Sequence, residues 1–398
     1  MTDPSTEIEP APKSPPPLPP DDMTAPPPSA APTKTGERLV SIDALRGFDM
    51  FWIMGADKLA RTLCDWWGTP EAKQFGEQFE HVQWEGFHFY DLIFPLFIFV
   101  VGAVIPFSLS KYRVGDRAGA AVYFRIVRRV AFLFLLGLLF NNLLQFPPLD
   151  QFRVMGVLQR IALCYGAASI LYLLLGTRGR GILFVAILLG YWGLFALVPS
   201  PTSHTKGDYT RETNLAGYID THYLPGKPYT VYGDNEGLLS TIPAIATALL
   251  GVFAGEWLRS VRSGWAKVGG LLLAGLICLG IGYGWGKFFP IIKILWTSSY
   301  VLVVGGWSLI LLGLFYAIID VLKLRAWAFP FVVIGMNAIT IYFLPKIIDF
   351  QDISVFFLGG LAKLAGNPAG VALVVAGMLL VKWLLLLYLY RRRIFLRL

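Results

Sequence analysis

After residue 40 the chain runs through ten apolar stretches of near membrane-spanning length, at roughly 43–62, 87–110, 120–141, 154–176, 181–199, 237–258, 267–286, 295–322, 328–345 and 370–390. In a bilayer every backbone N–H and C=O must be satisfied within the protein, so segments of this length are read as helices. The expected fold is therefore all-α: a polytopic membrane helical bundle with about ten transmembrane helices. An eleventh candidate at 353–366 is short and glycine-rich and reads as re-entrant or interfacial. Composition agrees, with 55% hydrophobic and only 15% charged residues, against about 25% charged in a soluble domain.

The basic residues give the direction. With the N-terminus inside, the connections at 111–129, 178–180, 259–267 and 323–325 are cytoplasmic and hold 13 Lys or Arg. The longer outer connections hold nine, and Arg391, Arg392 and Arg393 also fall inside. The positive-inside rule thus places both termini in the cytoplasm. Residues 1–37 carry 12 of the 26 prolines and are expected to be a disordered cytoplasmic tail. Residues 38–398 form the transmembrane domain, with an outer loop at 200–236. Cys64, Cys164 and Cys278 have neither disulfide nor metal spacing, so no metal is expected. Basic residues are not interleaved with aromatics, which argues against nucleic acid. No Asn-x-Ser/Thr acceptor occurs, which favours a bacterial inner (plasma) membrane.

Ionisable groups inside a bilayer cost about 2.5–3.5 kcal/mol each and so need a reason. In the first stretch Asp43 and Arg46 are spaced to pair on one helical face. Asp57 lies eleven residues after Arg46 and should return to that face, nearer the outside. His81 and His88 flank the start of the second helix beside Trp84 and Asp91, and an imidazole there suits a general base. Pro95 should kink that helix. Gln159 and Arg160 fall within the fourth helix, where Arg160 needs a partner such as Asp43 or Glu236. Asp234 reads as the N-cap of the sixth helix. Ser299 and Tyr300 open the eighth, and Asn337 is an amide at membrane depth.

Taken in order, these stretches are Arg38-Leu39-Val40-Ser41-Ile42-Asp43 with Arg46-Gly47, His81 with Trp84 and Gly86, and Asp91-Leu92-Ile93-Phe94-Pro95. They continue with Gly156-Val157-Leu158-Gln159-Arg160, Ala216-Gly217-Tyr218-Ile219-Asp220, Glu236-Gly237-Leu238-Leu239-Ser240, Trp296 with Ser298-Ser299-Tyr300, and Gly335-Met336-Asn337. The series resembles the heparan-alpha-glucosaminide N-acetyltransferase family. The resemblance implies acetyl transfer from cytosolic acetyl-CoA, as co-substrate, to an amino sugar or glycan across the membrane. It places the catalytic histidine on His81 and a family asparagine on Asp57, where a carboxylate would orient the ring and stabilise its cation. Substrate and donor contacts are then expected from Arg46, Asp43, Trp84, Asp91, Gln159, Arg160, Glu236, Ser299, Tyr300 and Asn337. Of these, Asn337 or Ser299 would stabilise the oxyanion. Two other readings stay open, an O-acyltransferase of a cell-envelope glycan and a secondary transporter, and a homodimer is compatible with either.

Overall fold

A computed structural model describes residues 39–396 except 113–118, 143, 144, 146 and 149. The proline-rich tail expected over 1–37 lies outside the described residues, as do Arg113 and Arg117. Among the described residues there is no strand, only isolated bridges between loops. The helices are α1 Val40–Phe51, α2 Asp57–Trp67, α3 Pro70–Glu77, α4 Ile93–Leu109, α5 Ala120–Asn142, α6 Val157–Leu174, α7 Thr177–Leu197 and α8 Leu215–Tyr223. They continue as α9 Leu238–Arg259, α10 Gly264–Trp285, α11 Ser298–Tyr316, α12 Phe329–Met336, α13 Ala338–Phe343, α14 Phe350–Ala365 and α15 Ala369–Arg391.

This is an all-α, multi-pass membrane protein. Among the described residues seven helical spans are long and apolar enough to cross a bilayer, including Phe89–Tyr112, Leu238–Arg259 and Ser298–Val321. The pair around α12 and α13, bent by 67° at Asn337, makes an eighth when taken as one broken span. Two further stretches expected as spans take other forms. The helix of α5 is continuous but carries Arg125, Arg128 and Arg129 in its first half. The first stretch is broken: α1 and α2 join through a π-helical turn, Trp52–Ala56, in which Gly55 has φ +121°. Stretch 353–366 is a full helix, α14, packed along α15.

The break corrects one expectation. Arg46 and Asp57 do not share a straight helical face, because the turn at Gly55 rotates the second half. The break also frees carbonyls, and Lys382 of α15 donates from Nζ to the Met54 carbonyl at 2.7 Å. A lysine at membrane depth is thereby explained by a backbone acceptor. Pro95 does not kink its helix either. The helix starts with a 3-10 turn at Phe89–Leu92, so Pro95 falls in the first turn of α4, where a missing N–H costs nothing.

Contacts sort the connections onto two ends of the bundle. At one end Gly86 N–H donates to the Ile291 carbonyl, Trp84 Nε1 donates to the Tyr209 carbonyl, and Arg153 pairs with Asp234. At the other Arg180 pairs with Glu256, Arg259 donates to the Pro106 carbonyl, and Asp320 accepts from the Ser41 amide.

Glycines set the closest helix contacts. A Cβ at Gly102 of α4 would collide with the Ala248 carbonyl of α9, and one at Gly251 of α9 would collide with the Phe99 carbonyl of α4. The same holds for Gly47 of α1 and Gly335 of α12, which face the Phe331 and Asp43 carbonyls. Close backbone approach of this kind is how small residues bring membrane helices together. Gly102→Ala is expected to destabilise the fold by about 1–3 kcal/mol through overpacking, read as a lower melting temperature in detergent. An unchanged melting temperature would show that α4 and α9 can separate without cost.

Candidate functional site

The structure gathers the charged and polar residues into four groups. The first is built around Asp91, which lies in the 3-10 turn before α4 and is 1% exposed. Its Oδ1 is 2.8 Å from His81 Nδ1 and 3.2 Å from Lys293 Nζ. Its Oδ2 accepts from the backbone amides of Val82 and His88, at 3.3 and 3.1 Å. The Asp91 carbonyl accepts from the Tyr300 hydroxyl at 2.8 Å. This explains why the segment 81–91 folds as it does: one carboxylate ties both of its ends. His81 is half exposed, its side chain 54% accessible, and its ring lies against Tyr90 at 4.7 Å.

Lys293 completes this group. Its Nζ is 2.9 Å from His81 Nδ1 as well as bonded to Asp91. Burial pulls its ammonium below the usual lysine range, opposed by Asp91 and Glu236. Nδ1 cannot donate to Asp91 and accept from Lys293 at once, so the two contacts are alternatives set by the tautomer. With Nδ1 protonated, Asp91 accepts from both neighbours and Nε2 keeps its lone pair.

Asp91, rather than Asp57, holds the His81 ring. Asp57 accepts from Arg61 at 3.3 Å, and Arg61 also donates to Glu80 at 2.9 Å. These residues form the second group, which reaches electrostatically to Tyr90. The resemblance put Asp57 in that role, and here its carboxylate, just after the turn at Gly55, is engaged by Arg61 instead.

The third group centres on Arg160, fully buried in α6. Its guanidinium lies 4.8 Å from the Trp296 ring, and Nη2 donates to Ser240 and to the Gly237 carbonyl. Its Nε and Nη1 have no hydrogen-bond partner among the described residues, and neither has the amide of Gln159, also fully buried. Arg160 makes no ion pair with Asp43 or Glu236. Glu236 is taken instead by Arg153 at 2.8 Å, and Asp234 by the same guanidinium at 2.9 Å. Burial raises Glu236 above the usual carboxylate range, against the pull of Arg160 and Arg153. Trp296 also touches Phe94 and Tyr300, so the Arg160 and Asp91 groups share one aromatic wall.

Asp234 is not the cap of α9. That part falls to Asp220 of α8, whose carboxylate accepts from the amides of Leu238 and Asp234, at 2.9 and 3.3 Å. Burial pushes Asp220 up to about 6, opposed by those two backbone donors. The folded protein thus holds this proton more tightly than an unfolded chain, in which aspartate titrates near 3.8. This corner is expected to gain stability as pH falls from above 6 toward 3.8, and no more below. Hydrogen exchange at Leu238, corrected for its intrinsic pH dependence, should be slower at pH 5 than at pH 7. The difference should vanish in Asp220→Asn, and equal protection at both pH values in the wild type would refute the assignment.

The fourth group lies toward the opposite end. Arg46 donates to Asp43 at 2.9 Å and to the Gly335 carbonyl at 2.7 Å. Asn337 donates to the Ile394 carbonyl at 3.2 Å. Ser299 donates to the Phe289 carbonyl at 2.6 Å, beside the first group. Ser299 therefore has no donor left for the His81 site, and Asn337 lies with the opposite group. Trp84 borders a pocket with Asn214, Asp220, Tyr232, Asn235 and Leu295. Among the described residues no cluster of His, Cys, Asp or Glu could hold a metal ion.

Comparison with known proteins gives the same direction as the motifs. Residues 38–143 match a family described as a domain of unknown function, DUF5009. Human heparan-alpha-glucosaminide N-acetyltransferase is 29% identical over 321 residues, 66% of this chain and 48% of that protein. The mouse protein of the same name is 28% identical over the same shares. The chain is a distant relative of heparan-alpha-glucosaminide N-acetyltransferase. It spans about half the length of these two relatives, whose name gives them N-acetyl transfer to heparan-alpha-glucosaminide.

Proposed function

We propose that the chain is an acetyl-CoA-dependent N-acetyltransferase that moves acetyl across a bacterial inner membrane to an amino sugar or glycan outside. One observation carries the reading most: His81 is half exposed while its Nδ1 is held by the buried Asp91 carboxylate, which Lys293 also binds. In that tautomer Nε2 keeps its lone pair, 3.4 Å from the Lys293 ammonium, and can act as a base. It takes an N–H proton as the acceptor amine attacks the thioester carbonyl, and Asp91 stabilises the imidazolium that forms. The nitrogen–carbon bond forms, the carbon–sulfur bond breaks, and CoA leaves.

Arg160 supplies the electrophilic side. Its unengaged N–H groups in an apolar interior suit the carbonyl oxygen as charge develops there. Arg46 and the arginines of α5 mark the end where an anionic donor enters. The pocket beside Trp84 takes the sugar, since an indole face and the amides and acids around it match a cationic amino sugar.

Sidedness is the test. Proteoliposomes loaded with radiolabelled acetyl-CoA and bathed in glucosamine should release N-acetylglucosamine outside. Label that never leaves the lumen while acetyl-CoA still binds would refute transmembrane transfer. Absence of acetyl-CoA binding would refute the acyltransferase reading as a whole.

A further inference from the structure

Lys293 sits in the turn between α10 and α11, and backbone bonds tie that turn to the segment that carries His81. Gly86 donates its amide to the Ile291 carbonyl at 2.8 Å, and Glu85 and Ile292 form an isolated antiparallel bridge. Within the turn the Trp296 amide donates to the Lys293 carbonyl at 3.0 Å, and the Thr297 hydroxyl accepts from the Ile292 amide at 3.2 Å. The lysine therefore has a fixed root, and its reach to the imidazole follows from the fold.

The ammonium meets both ring nitrogens of His81, at 2.9 Å to Nδ1 and 3.4 Å to Nε2, and binds Asp91 at 3.2 Å. An ammonium has three N–H groups. Asp91 takes one, the imidazole takes one, and the third has no partner among the described residues. The Asp91 side chain is sealed at 2% accessible, whereas that of Lys293 is 24% accessible and that of His81 54%. Lysine and histidine thus reach one opening, while the carboxylate that holds both stays behind them. In acetyl transfer at His81 the acceptor amine sits on Nε2. The thioester carbon joins its nitrogen, and sulfur is bonded to that carbon, so sulfur lies two bonds from the amine nitrogen. That connectivity brings it within reach of a cation 3.4 Å from Nε2.

We propose that Lys293 is a catalytic acid that protonates the departing sulfur and is recharged by His81 across the contact between them. The proposal rests on the acetyl-transfer reading and deepens it. His81 Nε2 takes the N–H proton as the nitrogen–carbon bond forms. The carbon–sulfur bond breaks with its electron pair on sulfur, and a Lys293 N–H gives sulfur its proton, completing the S–H of CoA. The imidazolium then passes its Nε2 proton to the neutral Nζ. The amine's proton has in effect reached the sulfur, and both residues end as they began. An ordinary lysine is a weaker acid than a thiol. Burial draws the Lys293 ammonium below the usual lysine range, against the pull of Asp91 and Glu236, and so narrows that gap.

Two variants test the role. Lys293→Gln removes the proton, and Lys293→Arg keeps the cation but holds its protons too tightly to release them. With acetyl-CoA both should lose about 100-fold in kcat, within the span usual for general acid catalysis, while KM for acetyl-CoA stays the same. With the acetyl selenoester of the selenium analogue of CoA, whose more acidic selenol leaves without a proton, both should match the wild type. Equal losses with the two donors would make Lys293 a support for Asp91, and full activity of the arginine variant would make it a fixed charge. Either result overturns the proposal, as does no loss with acetyl-CoA, and each leaves an active wild type and the acetyl-transfer reading in place. A wild type that transfers acetyl from neither donor brings down both. The wild type also supplies a readout that needs no folded variant. Its rate should change little when selenium replaces sulfur, and a large rise would show that sulfur departs without an acid and overturn the proposal.

Discussion

Replacing His81 with alanine should lower acetyl transfer to glucosamine by about 10²–10⁴-fold, the range for loss of a general base. The loss should fall on kcat, because the exposed imidazole contributes little to holding the substrates in place. Folding should be nearly unaffected, since the side chain is 54% accessible and surface substitutions usually stay within about 0.5 kcal/mol. The measurement is turnover of radiolabelled acetyl-CoA alongside thermal unfolding in detergent. Transfer that survives the substitution would remove His81 from the chemistry and leave the thioester to be attacked without a base.

The second large effect separates two aspartates. Asp91→Asn should reduce kcat by about 10²–10³-fold, because an amide cannot stabilise the imidazolium as a carboxylate does. It would also turn an N–H₂ toward either the His81 and Lys293 donors or the Val82 and His88 amides, all of which need an acceptor. Asp57→Asn should cost no more than about threefold, since its partner is Arg61, which keeps Glu80. Equal losses at the two positions would mean that Asp57 acts on the ring in a conformation other than this one.

The contrast between these two aspartates shows what a sequence can carry. The helices were legible because apolar length is a local property, and eight spans match the expected stretches within a few residues. The Asp43–Arg46 pair was legible for the same reason, three residues apart on one turn. The break at Gly55 was not, because glycine is common in membrane helices and only packing against α15 shows which one turns the chain. Lys293 lies 202 residues from Asp91 and 212 from His81. In the sequence it is one more loop lysine, with no spacing rule to connect it to either. Asp220 looked like part of a loop motif and proved to be the cap of another helix.

The glycine contacts between α4 and α9 have a mechanical consequence. Asp91 stands at the head of α4 and Glu236 just before α9, and backbones this close cannot slide past each other without collision. The two acidic anchors are therefore mounted on one stiff bar. Relative motion of helices must come from elsewhere in the bundle. Gly47 and Gly335 lock α1 against α12 in the same way, so the joints at Gly55 and Asn337 leave α2 and α13, beyond the breaks, as the parts least tied to this frame.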